Sequence, residues 1–290
     1  MNHRISKSFS ILFWLIFATS PINATAKDGL LWRIDSSSGQ YSYLLGTIHS
    51  DDQRVTNLPP AVSKAFAESK SFSGEIDMGM ETLMRAGELM FSTSGTTLDK
   101  RINAKMYREV VRKLVDYGIP EMLVQRMKPW AVAATLSLPK PTTGVFLDLK
   151  LYQMASSSQK ALYGLETIEE QTGAMEAIPE HLQIKMIADA LKLNPTIDQI
   201  IDSLIVAYTS RDLDRIVQIS DEAMKLGDQS VNKAFERELI VKRNQLMLSR
   251  MKPRLKEGHA FIAVGALHLP GEHGLLSLLK KQGYRLTSVF

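Results

Sequence analysis

Ala260-Phe261-Ile262-Ala263-Val264 is a run without a polar residue, closed by Gly265 and followed by Ala266-Leu267-His268. Five apolar residues are too few for an ordinary helix, and a strand with no polar side must be covered on both faces. A chain carrying such an element is organised around a sheet. Gly265 permits a tight turn or a close backbone approach, so His268 is delivered just beyond the strand end. The arrangement recurs near the other end, where Tyr41-Ser42-Tyr43-Leu44-Leu45 runs into Gly46-Thr47-Ile48-His49. In α/β sheets sites gather outside the ends of strands. The two Gly-x-x-His ends are therefore the first candidates for function.

The rest of the chain supplies partners for these strands. Leu30 to Asp35 reads as a strand, and Ser36 to Gln40 as a hairpin loop into the strand at Tyr41. Pro59 and Pro60 suit the first turn of a helix running to about Glu68. Ser71 to Asp77 reads as a third strand ending in Glu75 and Asp77, two residues apart and so on one face. From Glu81 to Lys252 the pattern is mostly helical, with Met106, Val110, Val111 and Leu114 at helical spacing. One short strand interrupts it, Lys160 to Leu165, leading into Glu166. The last long helix, about Val231 to Met251, places Arg243 inside an arc of Phe235, Leu239, Met247 and Met251. Arginine is seldom buried unless paired, and the alternative is a polar seam shared with Glu236 and Arg250. Gly274 to Gln282 reads as a short helix and Tyr284 to Val289 as a closing strand. The expected architecture is α/β, one sheet built from both ends of the chain around a largely helical middle.

Residues 1–26 have the order of a secretory leader. His3, Arg4 and Lys7 make a basic start, Phe9 to Ala18 an apolar core, and Ala24-Thr25-Ala26 a cleavage site. The expected product is a single domain from Lys27 to Phe290, periplasmic or secreted, with no stable membrane span once the leader is removed. An uncleaved anchor is the competing reading. Loss of Arg4 and Lys7 takes the formal charge from +4 to +2, too little and too evenly spread for a nucleic-acid partner. There is no cysteine, which excludes a thiolate nucleophile, a thiolate zinc site and an iron–sulfur cluster. Any metal must be held by histidine, carboxylate and water.

Several familiar signatures are missing: G-x-S-x-G, G-x-G-x-x-G, the P-loop and H-E-x-x-H. His268…Glu272-His273 has one residue too many for H-x-x-E-H, with Pro270-Gly271 inside it, so Glu272 and His273 read as opening the next helix. His181 and His259 read as structural or exposed. What remains is His49 and His268 on two strand ends, Glu75 on a third and Glu166 after a fourth. Imidazole and carboxylate are natural ligands for Mn²⁺, Fe²⁺, Co²⁺ or Zn²⁺. An ion with open positions polarises a carbonyl and acidifies water, with a spare carboxylate as base.

Together these blocks resemble the TraB/GumN family, which is related to the Tiki-type membrane metalloproteases. The resemblance spans nearly all of the chain after the leader. It rests on Gly46-Thr47-Ile48-His49, Gly74-Glu75-Ile76-Asp77, Gly164-Leu165-Glu166-Thr167-Ile168-Glu169-Glu170-Gln171, Arg243-Asn244 and Val264 to Glu272. Where the family often has Glu-Arg-Asn, this chain has Lys242-Arg243-Asn244. The resemblance implies a mixed sheet flanked by helices, a site made of the two Gly-x-x-His motifs and acidic residues, and metal-dependent peptidase activity in some members.

Two functions follow. In the first, a metal-dependent hydrolase, His49, His268 and one of Glu75 or Glu166 hold the divalent ion. The other glutamate activates water, and Arg243 holds a substrate carboxylate or the developing oxyanion. In the second, a non-catalytic protein binds a peptide, haem or another small molecule in the same cleft, the histidines serving as axial ligands to haem.

Overall fold

The computed structural model describes residues 29–290, so the leader expected at residues 1–26 lies outside the described residues. The six expected strands are present: β1 Leu31–Asp35, β2 Tyr41–Thr47, β3 Ser71–Gly74, β4 Ala161–Gly164, β5 Ala260–Gly265 and β6 Arg285–Ser288. They form one sheet in the order β4-β3-β5-β2-β1-β6. β4, β3, β5 and β2 run parallel, while β1 pairs antiparallel with both β2 and β6. The sheet is thus mixed, its strands come from both ends of the chain, and helices fill the middle.

The apolar run of β5 is explained by its place. It is inserted between β3 and β2, and Phe261, Ile262 and Val264 are all 0% exposed. The edge strand β6 is largely exposed and correspondingly less apolar. Helix α1, Pro60–Glu68, covers one face. Its Phe66 meets Phe261 edge-on at 5.2 Å, and Phe72 of β3 stacks on Phe261 at 6.4 Å. Truncating a phenylalanine in such a contact costs about 3–5 kcal/mol. A second apolar cluster lies within the helical middle, around Trp130, Val110, Leu114, Ile187 and Phe235.

Five further helices bear on the site: α2 Met80–Leu89, α3 Leu147–Ser157, α4 Ile168–Glu176, α5 Lys242–Glu257 and α6 Leu275–Lys281. Helix α4 starts in a capping box, Thr167 Oγ1 accepting the Glu170 N–H while the Glu170 carboxylate accepts the Thr167 N–H. That pair, worth about 0.5–2 kcal/mol, holds the turn that carries Glu166.

The last long helix differs from the regular one that the wheel assumed. It runs as α-helix over Gln229–Phe235, as a π turn over Glu236–Val241, and then as α5, which continues past Met251 through Pro253. A π turn inserts one extra residue and rotates everything after it, a device frequent at functional sites. The rotation leaves Arg243 and Asn244 buried, while Arg250 reaches out to an ion pair with Glu170 on α4. Among the described residues no helix is long and apolar enough to cross a membrane.

Candidate active site

Because four strands are parallel, their carboxyl ends share one edge of the sheet. β2 ends at Thr47, β3 at Gly74, β4 at Gly164 and β5 at Gly265. His49, Glu75, Glu166 and His268 each follow within three residues. Gly46 pairs with Val264 and Thr47 with Gly265, so the two Gly-x-x-His segments leave neighbouring strands offset by one residue. Neither glycine has room for a side chain without displacement. A Cβ on Gly46 would lie 2.8 Å from Leu269 Cδ1, and one on Gly265 would lie 3.3 Å from Glu75 Oε1.

Arg243 joins the two glutamates. Its Nε and Nη2 both donate to Glu166 Oε2, at 2.9 and 2.6 Å, and Nη2 donates to Glu75 Oε2 at 2.7 Å. Glu75 also accepts from Gln171 Nε2 at 2.9 Å and from the Gly265 N–H at 2.7 Å. All three ionised side chains are buried, at 7%, 4% and 9% residue exposure for Glu75, Glu166 and Arg243. Burial alone would raise the Glu75 pKa, but Arg243, with the two histidines, holds it well below the usual carboxylate range. For Glu166 burial prevails over Arg243 and raises the pKa. One guanidinium cannot fully stabilise two carboxylates, and the second is the easier to protonate.

Each histidine is held through Nδ1. His49 Nδ1 donates to Asp148 Oδ2 at 2.7 Å, and Thr47 Oγ1 donates to Asp148 Oδ1 at 2.6 Å. His268 Nδ1 donates to Asn244 Oδ1 at 2.6 Å. The Asn244 amide is oriented by Nδ2, which donates to the His273 carbonyl at 2.8 Å. Metal-binding histidines carry this kind of support on the ring nitrogen away from the ion. The outcome differs between them. Burial would lower the His49 pKa, but Asp148 outweighs it and raises it. His268 is lowered to about 4, burial prevailing over Glu75, and is neutral near pH 7.

The charge balance bears on a metal. Glu75 and Glu166 share the one guanidinium of Arg243, while Asp148 is bonded to His49 and Thr47, which leaves two negative charges in excess when the three acids are ionised and both histidines are neutral. Buried excess charge is costly, and one divalent cation would cancel it. Among the described residues no three side chains form a ready-made metal cage. The edge offers two imidazole Nε2 atoms, with Glu75 Oε1 at 3.7 Å from that of His268. These donors fit a divalent ion whose remaining positions are filled by water or substrate.

All five residues singled out from the sequence, His49, Glu75, Glu166, Arg243 and His268, meet on this edge. The guanidinium of Arg243 is already taken up by Glu75 and Glu166, and its Nη1 has only a long 3.5 Å contact to the Leu239 carbonyl. As placed it organises carboxylates and is not free to clamp a substrate. Glu272 is exposed, and α6 begins at Leu275, two residues beyond His273. His259 packs edge-on against Tyr41, and His181 is exposed.

Sequence reading missed Asp148. Its only signal is a lone acid within Val145-Phe146-Leu147-Asp148-Leu149, which becomes the start of α3. Gln171, on α4 three residues after Ile168, has its Oε1 buried with no hydrogen-bond partner. Beside His49 a cleft of about 30 Å³ is walled by Pro139, Pro141, Gly144 and Phe146. Asp51 ties down this wall, its Oδ2 accepting the N–H groups of Thr142, Thr143 and Gly144.

The model of the TraB/PrgY/gumN family matches residues 30–288. The metalloprotease TIKI homolog of Nematostella vectensis is 25% identical, the match covering 98% of this chain and 68% of that protein. Metalloprotease TIKI2 of Danio rerio is 24% identical over 92% of this chain and 62% of its own length. Metalloprotease TIKI1 of Homo sapiens is 24% identical over 89% and 61%. The chain therefore spans about two thirds or less of the length of these relatives. No solved structure matches.

Proposed function

The chain belongs to the TraB/PrgY/gumN family, and from that premise we propose that it is an exported, metal-dependent hydrolase acting on peptides. The observation that carries this reading is the pair of histidines on adjacent strand ends. Each is locked through Nδ1, and Glu75 is held ionised beside them. The metalloprotease names of the relatives support the reaction class.

His49 Nε2, His268 Nε2 and Glu75 would hold the divalent ion; Mn, Fe, Co and Zn all suit these donors. Bound there, a divalent cation supplies Lewis acidity, polarising a scissile carbonyl and acidifying water. The chain's residues set up the rest. Arg243 and Gln171 fix Oε2 of Glu75, so Oε1, which also accepts the Gly265 N–H, is the oxygen that would hold the ion. Glu166 keeps Arg243 in place rather than acting as the base, because the guanidinium occupies both its oxygens. Neutral His268 presents a lone pair at Nε2 near pH 7. Gln171 Oε1, buried and unpartnered, offers an acceptor to water or to a substrate N–H.

The test is elemental analysis of the untagged protein purified from Lys27 onward, followed by peptide cleavage with and without chelator. A near-stoichiometric transition metal and chelator-sensitive cleavage are expected. Bound metal without cleavage would leave a binding protein, and a visible absorbance band on purification would identify its ligand as haem. Export is tested separately: N-terminal sequencing of material recovered outside the cytoplasm should begin at Lys27.

A further inference from the structure

The cleft of about 30 Å³ beside His49 has that histidine in its own lining, together with Ser50 and Asp51, which follow it in the chain. The rest of the wall comes from residues 137–146, the connection between the helix Pro129–Leu136 and α3. Phe146, at the end of this connection, meets the His49 ring edge-on at 5.3 Å. A group seated in the cleft therefore lies directly against one of the two imidazoles of the site.

The wall is stiff. Pro139 and Pro141 fix their own φ and confine Leu138 and Lys140 to extended backbone. Gly144 turns the chain at φ +75°, in the left-handed region that favours glycine. Asp51 Oδ2 accepts the N–H groups of Thr142, Thr143 and Gly144 at 2.7, 2.5 and 2.9 Å. The Leu147 N–H donates to the Ser50 carbonyl at 3.2 Å. The two residues after His49 thus hold the wall, and the gap between wall and imidazole is set by the segment that carries the imidazole.

The surface on offer is apolar. Proline rings and the Phe146 ring carry no donor, Asp51 Oδ2 is taken up by backbone, and Ser50 Oγ accepts the Asp52 N–H at 3.2 Å. A water-sized group needs about 10–15 Å³ of such space, so the cleft takes roughly two or three non-hydrogen atoms.

We propose that this cleft is the side-chain subsite next to the scissile bond and that it selects a small aliphatic residue, alanine or valine, in a peptide. Leucine and phenylalanine overfill it, and an acidic side chain would face the Asp51 carboxylate. The inference rests on the peptide-hydrolase reading for the reaction, but filling the cleft needs no turnover.

Two measurements on the untagged full protein test it. In chelator, amide NMR shifts of isotope-labelled protein are followed on titration with N-acetyl-valinamide and N-acetyl-phenylalaninamide. The valine probe should shift the Ser50, Gly144 and Val145 amides, and the phenylalanine probe should leave them in place. The metal-loaded protein is then given Gly/Ser octapeptides containing a single alanine, valine, leucine or phenylalanine, with products identified by mass spectrometry. Cleavage beside alanine or valine should exceed that beside leucine or phenylalanine about tenfold in kcat/KM, the scale of a misfit methylene in a pocket. Pro141→Ala opens the wall at an exposed position and should bring leucine level with valine. Asp51→Ala releases the wall and should flatten the preference with metal content unchanged; if its thermal melt shows misfolding, Pro141→Ala carries the test. Shifts with neither probe or with both alike, or a preference unmoved in Pro141→Ala, would overturn the proposal. Cleavage without any size preference refutes the subsite and leaves the hydrolase standing. Valine-selective shifts with no cleavage of any peptide support the cleft as a binding site and refute the hydrolase.

Discussion

The two Gly-x-x-His ends share a pattern and lie on adjacent parallel strands, offset by one residue, yet the pKa values of their histidines move in opposite directions. His49 is backed by a carboxylate and is raised in pKa; His268 is backed by an amide and is lowered to about 4. The tetrapeptide determines where an imidazole is delivered. For His49 the shift is set by Asp148 behind it, whereas for His268, backed by the neutral Asn244 amide, burial prevails.

The largest test treats the two as one unit. His49→Ala and His268→Ala should each abolish metal binding, because a two-donor remnant cannot hold the ion. The double variant should be little worse than either single one. Chelation should lower the wild-type Tm and leave the variants unmoved. Independent, additive stability losses with metal retained would make both histidines structural.

Removing the shared cation comes next. Arg243→Ala strands Glu75 and Glu166 in the interior and should cost about 3–5 kcal/mol in urea unfolding. Arg243→Lys should keep more of that stability yet reduce metal affinity, since the planar fork over two carboxylates is lost. If activity is unchanged in a folded lysine variant, Arg243 is only a structural ion pair.

Exchanging the supports sharpens the comparison directly. Asp148→Asn should weaken metal binding about 10- to 100-fold, the range for a lost supporting carboxylate. Asn244→Asp should move His268 toward the behaviour of His49, visible as an upward shift of its imidazole NMR titration. An unshifted His268 in that variant would place the asymmetry in burial alone.

Opposite pH slopes are expected in the metal-free protein. His268 has its folded pKa below the unfolded value, so the unfolded chain binds more protons between about pH 4 and 6.5. Stability should therefore fall as pH drops through that window, by up to about 1.4 kcal/mol per unit. His49 is raised, so its contribution is complete below about pH 6.5 and is lost as pH rises through its folded value. Urea melts of His268→Ala and His49→Ala should each flatten one side of the profile, and loss of the same side in both would end the comparison. The smallest effect belongs to Arg250, whose partly exposed pair with Glu170 is worth at most about 1 kcal/mol. Arg250→Ala should leave metal binding intact.

Much of this was legible because it is local. An apolar run bounded by turn residues marks a strand wherever it lies, and β5 follows from that alone. A glycine followed by a histidine just past a strand marks a site edge, and His49, Glu75, Glu166 and His268 could be picked out because each trails its own strand. A cation inside an apolar arc singled out Arg243, though as a substrate clamp or part of a polar seam and not as the partner of Glu75 and Glu166. The pairing itself was not local. Asp148 reaches His49 across 99 residues, and Arg243 meets Glu75 across 168. No periodicity encodes such contacts; they exist only once α3 and α5 pack over the sheet edge. The π turn before Arg243 escaped for a related reason, since a helical wheel assumes the regular rotation that the turn breaks. The chain's own order of residues therefore determined the sheet and the positions of its imidazoles and carboxylates. Only the packed structure decided which carboxylate backs a histidine, which binds the arginine, and so how charge is distributed among them, because buried charges are set by whichever distant groups the fold brings within hydrogen-bond reach.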